Sequence, residues 1–378
     1  MIKASEMQQK VSHYTEPYIG SLGSHSALDI SRGAFDEGFK TIVVCKRGRE
    51  KPYQHHIFRK RGMKDVGCIN KIIILEEWKD IVKKESLEDL SFYNTIFIPN
   101  RSFEVYVGHN LIEDYFTVPM LGNRGLLRIE ERTGPYKIEK NQDYLIKLAG
   151  IPAPKRFEKP VDIDREVIIK ATKAIGERYF QRAGDKSSGL PFPKVSSEKE
   201  YEIACERLKQ EGKTETEKEM IERNFRAATI EEYVPGECIN LNFFQSAMNS
   251  NDPPYEGLEL SGCDVRKQFP NGEELLHQGA SLRESLLGKA YDIGKKFVDI
   301  TKQEYPPGII GPFALQTVAD KNEDLLTFDV SPRIPGSPDT EFTPYTGYLY
   351  GKPTSFGRRI AQEIKEAIIS RRLEEIVS

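Results

Sequence analysis

The sequence predicts an α/β protein in which a small parallel-sheet domain is followed by a larger α/β domain. Its 378 residues exceed what one ordinary compact core holds, and so indicate two or three domains. Strand-like and helical segments alternate from the N-terminal region onward, which is typical of sheets covered by helices. A stiff connection, Ile151-Pro152-Ala153-Pro154, indicates a junction within the chain.

The N-terminal region opens with a βαβ pattern. A short strand at Tyr18–Leu22 leads through Gly23-Ser24-His25-Ser26 into a helical pattern over 27–37, which Gly38 ends. Three further segments are predicted to be strands of the same sheet: Thr41–Cys45, Lys71–Leu75 and Thr95–Pro99. A parallel sheet places functional loops at the carboxyl ends of its strands, so the loop after the first strand is a candidate binding site.

The second region contains longer strands and a strongly charged insertion. We place residues 1–122 in the N-terminal domain and residues 123–378 in the larger one, whose two lobes cover about 123–235 and 236–378. Strands are predicted at Val167–Lys170, Thr229–Val234, Ile239–Phe244, Ile309–Val318 and Leu325–Ser331. Helices are predicted over the charged pair at 198–226, at Leu282–Thr301 and at Phe356–Glu375.

Composition excludes several classes of function. The formal net charge is -3 and no long Lys/Arg block occurs, so nucleic-acid binding is not expected. The longest apolar runs, such as Ile72–Leu75, are far shorter than the roughly 18 residues of a membrane span. No signal-peptide core follows Met1, so we expect a cytoplasmic protein. The five cysteines form no Cys-x-x-Cys pair, which favours reduced packing residues.

The last two predicted strands carry a candidate metal site. In Thr327–Arg333 the alternation of a strand places Asp329, Ser331 and Arg333 on one face. An exposed sheet surface would give the same pattern. The partner strand, however, contains Gln316 as a single amide within an apolar run, and one carboxylate with one neutral oxygen suits Mg²⁺ bound to nucleotide phosphates.

Two earlier segments are candidates for binding ATP. Lys170 ends a buried strand, and Ile230–Glu237 joins a strand to a Pro-Gly turn that contains three acidic residues. In an ATP site the lysine would bind phosphates, the backbone of the turn would bind adenine, and an acid would bind the ribose hydroxyls. Each segment alone fits a solvated lysine or an ordinary acidic turn. The order of the two segments along the chain is a stronger indication of an ATP site than either segment alone.

That order resembles the ATP-grasp superfamily, and the whole chain resembles the archaeal formate-dependent synthetases that make 5-formaminoimidazole-4-carboxamide ribonucleotide (FAICAR). The blocks that carry the resemblance are Leu22–Leu28, Gly33-Ala34, Glu37–Phe39, Pro99, Ser102-Phe103, Val118–Arg124, Glu231–Gly236, Arg283–Leu287, Pro306–Phe313 and Gly357–Ala361. The resemblance implies an ATP-grasp fold behind a small α/β ribonucleotide-binding domain. It also implies formylation of aminoimidazole carboxamide ribonucleotide (AICAR) in purine biosynthesis, through formyl phosphate, in a trimer or hexamer.

The resemblance assigns roles by position. His25 and Ser102 would bind AICAR, and His277 would replace a family contact to it. The residues implied to bind ATP are Lys170, Glu231, Glu232, Tyr233, Val234 and Glu237, and Arg178 is a further candidate because of its charge. Gln316 and Asp329 would hold Mg²⁺ or Mn²⁺. From the residues alone, His25 follows a glycine at a helix start that favours anions, although an exposed helix cap is the alternative. No residue is assigned as the catalytic base.

Three departures from the family pattern leave other functions open. The phosphate loop at Ala171–Phe180 has one glycine, so Lys173 and Arg178 would have to replace backbone donors. Asp329 stands where glutamate is common, and Leu276–Gly279 replaces a Gly-Asn turn. The alternatives are another ATP-grasp carboxylate–amine ligase and a nucleotide-binding paralogue that has lost phosphoryl transfer.

Overall fold

The computed structural model describes residues 2–132, 137–170, 193–268, 274–336 and 340–378. The first sheet contains β1 (Ile19–Leu22), β2 (Thr41–Lys46), β5 (Lys71–Leu75) and β6 (Ile96–Ile98) in the order β5-β2-β1-β6. All its pairings are parallel. A separate hairpin consists of β3 (Arg59–Arg61) and β4 (Lys64–Val66). The helices of this region are α1 (Ala4–Val11), α2 (Ala27–Asp36), α3 (Lys51–His55), α4 (Lys84–Phe92), α5 (Arg101–Val107) and α6 (His109–Asp114).

The strand order creates a crevice between two neighbouring loops. From β1 the chain runs through β2 to β5 on one side, and β6 then returns to the other side of β1. At such a point the loops at the carboxyl ends of the two adjacent strands diverge, and ligands of open parallel sheets bind between them. The crevice therefore lies between residues 23–26 and residues 99–102.

The larger region contains two antiparallel sheets. The smaller has the order β7-β10-β8-β9 and the larger the order β13-β12-β11-β14-β15. The strands are β7 (Arg156–Phe157), β8 (Val167–Lys170), β9 (Lys194–Val195), β10 (Thr229–Glu232), β11 (Cys238–Gln245), β12 (Leu258–Gln268), β13 (Glu274–Ala280), β14 (Gly311–Ala319) and β15 (Leu325–Ser331). The helices are α7 (Gln142–Leu148), α8 (Glu198–Lys209), α9 (Glu215–Arg226), α10 (Glu284–Glu304), α11 (Pro344–Tyr350) and α12 (Phe356–Ile369). Short 3₁₀ helices occupy 78–82, 124–130, 160–162, 340–342 and 373–375.

The two faces of the large sheet differ in polarity. One face carries buried residues such as Phe243 and Phe313, whose ring centroids lie 5.3 Å apart, and packs against Phe297 of α10. Because side chains alternate along a strand, the neighbours Asn240 on β11 and Gln316 on β14 lie on the opposite face. The helix-covered face is the core, and the opposite face carries buried polar side chains such as Asn240 and Gln316.

The predicted elements are largely confirmed, with two corrections. The predicted strands and the charged helix pair at 198–226 lie within one or two residues of the observed ones. The strands β12 and β13 were not predicted, because polar residues such as Asp264 and Arg266 interrupt the apolar pattern of β12. The closing helix was predicted to reach Glu375 but ends at Ile369, since Arg371 adopts a left-handed backbone (φ 56°).

The C-terminal segment returns to the N-terminal sheet. Helix α12 packs against α2, and Ile360 and Ile364 share a buried core with Ile30 and Ile98. The chain end is also tied down, because the backbone groups of Met120 and Ser378 bind each other in both directions, at 2.9 and 3.1 Å. Residues 356–378 thus pack with the first region in space, although they belong to the second in sequence.

Gly33 on α2 and Gly357 on α12 permit this close helix contact, which explains two of the blocks noted in the sequence. A Cβ atom on Gly33 would lie 2.0 Å from the backbone nitrogen of Arg358, and one on Gly357 would lie 2.0 Å from the carbonyl oxygen of Asp29. The Asp29 carboxylate also accepts a hydrogen bond from the Gly357 N–H at 3.0 Å. The helices can cross this closely only because these two residues lack a side chain, which accounts for both glycines without a ligand contact.

Gly33→Ala is expected to destabilise the protein by about 3 kcal/mol, because the added methyl group collides with backbone that cannot rotate away. The matched control is Gly288→Ala on α10, where a Cβ meets nothing within 4 Å and alanine should stabilise the helix by up to about 1 kcal/mol. Urea denaturation measures both changes. Equal midpoints for the two variants would show that the helices do not cross this closely.

Candidate active site

The side chain of Asn100 links the two loops of the crevice by hydrogen bonds. Its side-chain amide donates to the carbonyl oxygens of Leu22 at 2.9 Å and Ser24 at 3.1 Å. Its Oδ1 accepts from the backbone N–H of Phe103 at 3.1 Å and so caps α5. Sequence reasoning missed Asn100, although an asparagine directly before a helix is a recognised capping signal.

His25 lies at the mouth of the crevice in a constrained conformation. It is exposed, and its backbone is left-handed (φ 43°), which is uncommon for a residue other than glycine. The segment after β15 holds this loop from the other side, because the Ser26 hydroxyl donates to the Pro335 carbonyl oxygen at 2.6 Å. A Cβ on Gly336 would lie 3.0 Å from Nδ1 of His25. A non-glycine residue kept in this conformation is a feature of functional loops.

Ser102 lies on the opposite side of the crevice, in the first turn of α5. It is buried, and its hydroxyl has no hydrogen-bond partner among the residues that the structure describes. A buried hydroxyl at a helix start that lacks a protein partner is suited to bind a ligand oxygen. The structure therefore places the predicted AICAR residues His25 and Ser102 on the two loops that border one crevice.

A buried cluster of charges lies beside the crevice. Arg333 binds Glu130 at 2.9 Å and Glu104 at 3.4 Å, and Arg101 pairs with the same two carboxylates. Burial raises the pKa of Glu104, although Arg333 and Arg101 act in the opposite direction. Arg333 was predicted to share a face with Asp329. That prediction was wrong, because β15 ends at Ser331 and the arginine turns towards this cluster.

A row of polar side chains crosses the large sheet on its polar face. The strand register aligns Asp264 on β12 with Asn240 on β11, Asn240 with Gln316 on β14, and Gln316 with Asp329 on β15. Asn240 donates to Asp264 at 2.7 Å, and Gln316 donates to Asp329 at 3.0 Å. Directly opposed residues on adjacent strands share a face, so the row is continuous over four strands.

The carboxylate of Asp329 has two cationic side chains near it, Arg132 and Lys170. Gln142 of α7 donates to its Oδ1 at 2.9 Å, and an Arg132 nitrogen lies 3.1 Å from the same oxygen. Burial alone raises the pKa of Asp329, but Arg132, Gln142 and Lys170 together lower it below its ordinary value. The carboxylate is therefore ionised at neutral pH. Sequence reasoning identified Asp329 but missed Arg132 and Gln142, which lie far away in sequence.

Asp329 and Gln316 fit a divalent cation carried by a nucleotide. They offer one ionised carboxylate and one amide oxygen on facing strands, and the amide can present either its oxygen or its nitrogen. The described part of the chain contains no group of three or more His, Cys, Asp or Glu side chains that could hold a metal by themselves. Mg²⁺ suits such a sparse protein set because water and phosphate oxygens complete its octahedron.

Lys170 connects the small sheet to this site. Its ammonium group pairs with Glu231 and lies 4.4 Å from the ring centroid of Phe328, the neighbour of Asp329. Glu231 is almost completely buried and also lies 3.3 Å from Arg156. Lys170, Glu231, Gln316 and Asp329 are thus brought together between the two antiparallel sheets. The predicted phosphate-binding lysine is held in place by a carboxylate, and its role stays a prediction.

The segment after β10 forms the edge of the same space. Glu232 accepts from the Lys155 N–H at 3.0 Å and from Arg165 at 2.9 Å. The N–H groups of Glu232 and Tyr233 bind the carbonyl oxygens of Lys155 and Glu166, at 2.8 and 2.9 Å. Val234 is half-buried and Glu237 is exposed. The predicted residue Arg178 and the glycine-poor loop 171–180 lie outside the described residues.

His277 lies on the edge strand β13, and its Nδ1 is 2.8 Å from Oδ2 of Asp264. It therefore contacts the far end of the polar row. From β13 to β14 there are three strand spacings, or about 14 Å, so His277 is not in contact with the Gln316–Asp329 pair. A substrate of nucleotide size would span that distance.

The cysteines were expected to be packing residues, and four of the five are buried. All five cysteines are free thiols, and only Cys238 is exposed. Within the described ranges, no helix combines the length and apolarity that a membrane crossing requires.

Comparison with known proteins identifies relatives over the whole chain. Residues 19–157 match a family described as a protein of unknown function (DUF1246), and residues 207–276 and 267–378 match a domain of unknown function (DUF1297). The 5-formaminoimidazole-4-carboxamide-1-(β)-D-ribofuranosyl 5'-monophosphate synthetase of Methanopyrus kandleri is 33% identical over 400 residues, covering 100% of both chains.

Two solved structures share the architecture. An IMP biosynthesis protein, PurP, from Thermococcus kodakaraensis has a TM-score of 0.66 at 24% identity, covering 95% of this chain and 100% of its own. A biotin carboxylase in complex with β,γ-ATP from Campylobacter jejuni has a TM-score of 0.59 at 14% identity, covering 93% of this chain and 70% of its own. These similarities establish the predicted ATP-grasp fold. The full-length identity to the named synthetase goes further: the chain belongs to the 5-formaminoimidazole-4-carboxamide ribonucleotide synthetase family of ATP-dependent ligases.

Proposed function

We propose that the protein catalyses the ATP- and formate-dependent formylation of AICAR to FAICAR in purine (IMP) biosynthesis, with release of ADP and phosphate. The observation that carries the proposal is the arrangement of one polar sheet face. Lys170 and the Gln316–Asp329 pair lie at one end of it, and the crevice of His25 and Ser102 is held to the segment that follows β15. The relatives of the family are named for this product.

ATP would lie between the two antiparallel sheets. Lys170, held by Glu231, would bind phosphate oxygens, and Gln316 with Asp329 would hold Mg²⁺ or Mn²⁺. The cation would supply charge neutralisation for phosphoryl transfer. Because the N–H groups of Glu232 and Tyr233 already bind backbone oxygens, we assign the adenine contact to the backbone of Val234. Tyr233, Glu237 and Arg178 would complete the nucleotide environment, with Glu232 holding the segment to Arg165.

ATP is required because formate has a poor leaving group. A formate oxygen attacks the γ-phosphorus, ADP leaves, and the product is formyl phosphate, whose phosphate can depart. The amine of AICAR then attacks the formyl carbon. That amine is weakened by delocalisation into the imidazole ring, so the chain's contribution is to position the amine and exclude water. Buried side chains around Asp329, such as Gln142, line the region where this exclusion is needed.

AICAR would be anchored at the crevice. The loop of His25 and the helix start at Ser102 offer an imidazole, a hydroxyl and backbone N–H groups, which together suit the ribonucleotide phosphate. His277 would contact the same substrate from β13. All substrates are small cytoplasmic metabolites, so we place the activity in the cytoplasm, with no nucleic-acid or membrane partner. We also propose a homo-oligomer, a trimer or hexamer, from the family.

Phosphate release with ATP and Mg²⁺ tests the proposal when formate and AICAR are supplied together and singly. Turnover should require both substrates, and mass spectrometry of the product should show one added formyl group. Turnover that needs AICAR but accepts another acid in place of formate would favour a different carboxylate–amine ligase, an alternative that the replaced Gly-Asn turn at 276–279 supports. Nucleotide binding without turnover under any combination would indicate a paralogue that has lost phosphoryl transfer.

A further inference from the structure

Asn242 is a buried asparagine on the polar face of the large sheet, and the orientation of its side-chain amide is fixed. Its Nδ2 donates to Oδ1 of Asp264 at 2.6 Å, and Asp264 is itself 1% exposed. Carboxylate oxygens are acceptors, so the amide turns its nitrogen and not its oxygen towards Asp264. The amide oxygen of Asn242 therefore needs a donor from elsewhere.

That oxygen is an unsatisfied acceptor. Asn242 is completely buried, and its Oδ1 has no hydrogen-bond partner among the residues that the structure describes. Its direct cross-strand neighbours, Gly262 and Ala314, have no polar side chain to offer. The hydroxyl of Thr343 lies over Gly262 but donates to the carbonyl oxygen of Thr340 at 3.0 Å. Because buried side-chain oxygens in native proteins nearly always have a partner, the missing donor is expected on a bound molecule.

Asn242 lies within reach of the candidate metal pair. It is opposite Ala314 on β14, and Ala314 is opposite Ser331 on β15. This second line across the sheet lies two residues along the strands from Gln316 and Asp329. Asn242 is therefore diagonal to Gln316, at about 7–8 Å, which leaves room for an acyl phosphate and a ring between them.

The same line lies on the side of the metal pair that leads to the crevice. Ser331 is the last residue of β15, and four residues later the carbonyl oxygen of Pro335 accepts from Ser26. Ile334 also forms a bridge with Asn100. Four residues of chain span at most about 14 Å, which is comparable with the length of a ribonucleotide from its phosphate to its base. A ribonucleotide with its phosphate in the crevice can thus place its base over Asn242.

The base of AICAR carries two groups with N–H donors, the amine and the carboxamide. The amine has to lie beside the formyl group, which the proposed function places at the Gln316–Asp329 pair on β14 and β15. The carboxamide is attached to the adjacent ring carbon, and its nitrogen lies about 5 Å from the amine nitrogen, which equals one strand spacing. The carboxamide would therefore lie over β11, the strand of Asn242.

We propose that Oδ1 of Asn242 accepts a hydrogen bond from the carboxamide N–H of AICAR, so that Asn242 selects bases with a donor at this ring position. This inference rests on the proposed function. A nitrile or a carboxylate at the same ring position presents only acceptors to Asn242, and a carboxylate would also approach the carboxylate of Asp264. A site built around such a hydrogen bond rejects analogues that lack the donor far more strongly than an apolar pocket could.

Calorimetric titration with three ribonucleotides tests the proposal: AICAR, its 4-nitrile analogue and its 4-carboxylate analogue, all of which keep the amine and the ribose phosphate. The wild type should bind both analogues at least about 100-fold more weakly than AICAR. Asn242→Ala should weaken AICAR about 10- to 100-fold and change the Kd of the nitrile by less than about threefold. The ratio of these two Kd values should then fall below about tenfold, which shows that residue and carboxamide act on each other.

Asn240→Ala is the matched control. Asn240 is the other asparagine that donates to Asp264, at 2.7 Å, and its removal leaves the oxygen of Asn242 in place. The ratio of the Kd values of AICAR and the nitrile should stay within about threefold of wild type. If Asn242 only supported Asp264, both variants would weaken all three ligands to the same extent. Urea denaturation shows that each variant is folded.

The outcomes distinguish this inference from the function on which it rests. A wild-type protein that neither binds AICAR nor forms FAICAR contradicts the proposed function itself. With an active wild type, only the role of Asn242 is overturned in three cases: if the wild type binds the nitrile as tightly as AICAR, if a folded Asn242→Ala keeps the wild-type ratio, or if Asn240→Ala lowers the ratio equally. The first comparison uses the wild type alone, so it decides even where Asn242→Ala does not fold.

Discussion

Asp329→Asn is expected to lower kcat at least about 1,000-fold, equivalent to about 4 kcal/mol of activation free energy, while AICAR still binds. Asp329 is the only carboxylate in the Gln316–Asp329 pair, and its pKa is held below the ordinary value so that it is charged at neutral pH. Asparagine keeps the shape and an oxygen but removes the charge that a divalent cation requires. Phosphoryl transfer should therefore fail without a change in fold.

The measurement is steady-state phosphate release together with calorimetric binding of AICAR. The affinity for AICAR should stay within about threefold of wild type, because the crevice of His25 and Ser102 is formed by other elements. Asp324→Asn is the control: Asp324 directly precedes β15, is half exposed and forms an ion pair with Lys289. Turnover above about a tenth of wild type in Asp329→Asn, or equal loss of both ligands, would contradict the metal assignment.

His25→Ala is expected to weaken AICAR binding by about 10- to 100-fold while ATP affinity changes less than about threefold. A hydrogen bond to a charged ligand contributes about 1.5–3 kcal/mol, which corresponds to this range. His25 is exposed, so its removal leaves no buried cavity, and a loss of affinity confined to AICAR reports on the ligand contact.

The same calorimetric titrations with AICAR and with ATP check this expectation. His13→Ala is the control, since His13 is an exposed histidine of the same domain in the turn after α1. If His25→Ala weakens both ligands to the same extent, the loop is structural. If it weakens neither, the ribonucleotide binds elsewhere.

Much of the fold follows from local sequence signals. The opening βαβ unit, the charged helix pair and the strand Leu325–Ser331 were predicted because apolar periodicity and glycine or proline boundaries mark them. The strands β12 and β13 were not, because Ser261, Asp264 and Arg266 occupy positions where a core strand would be apolar. The close crossing of α2 and α12 was also unpredictable, since a contact between Gly33 and Gly357 leaves no local signal.

The candidate site was predicted only in part, because some of its residues carry a local sequence signal and others meet only in the folded chain. Lys170, Gln316 and Asp329 stand out because each is polar within an apolar strand, and the structure brings them together. Arg132 and Gln142 reach Asp329 from a 3₁₀-helix end and from α7, which is a long-range contact. Asp264 became recognisable only when the strand register aligned it with Asn240. The remaining family assignments, including the ribonucleotide contacts, stay predictions.

The central claim is that formate is activated by phosphoryl transfer on the polar sheet face before the amine attacks. Reaction with [¹⁸O]formate tests it most directly, because the C–O bond that breaks in the second step leaves one formate oxygen on phosphate. We predict one ¹⁸O atom in the inorganic phosphate for each FAICAR formed, measured by mass spectrometry. Formation of FAICAR with unlabelled phosphate would contradict the formyl phosphate route, and with it the role given to Lys170 and Asp329.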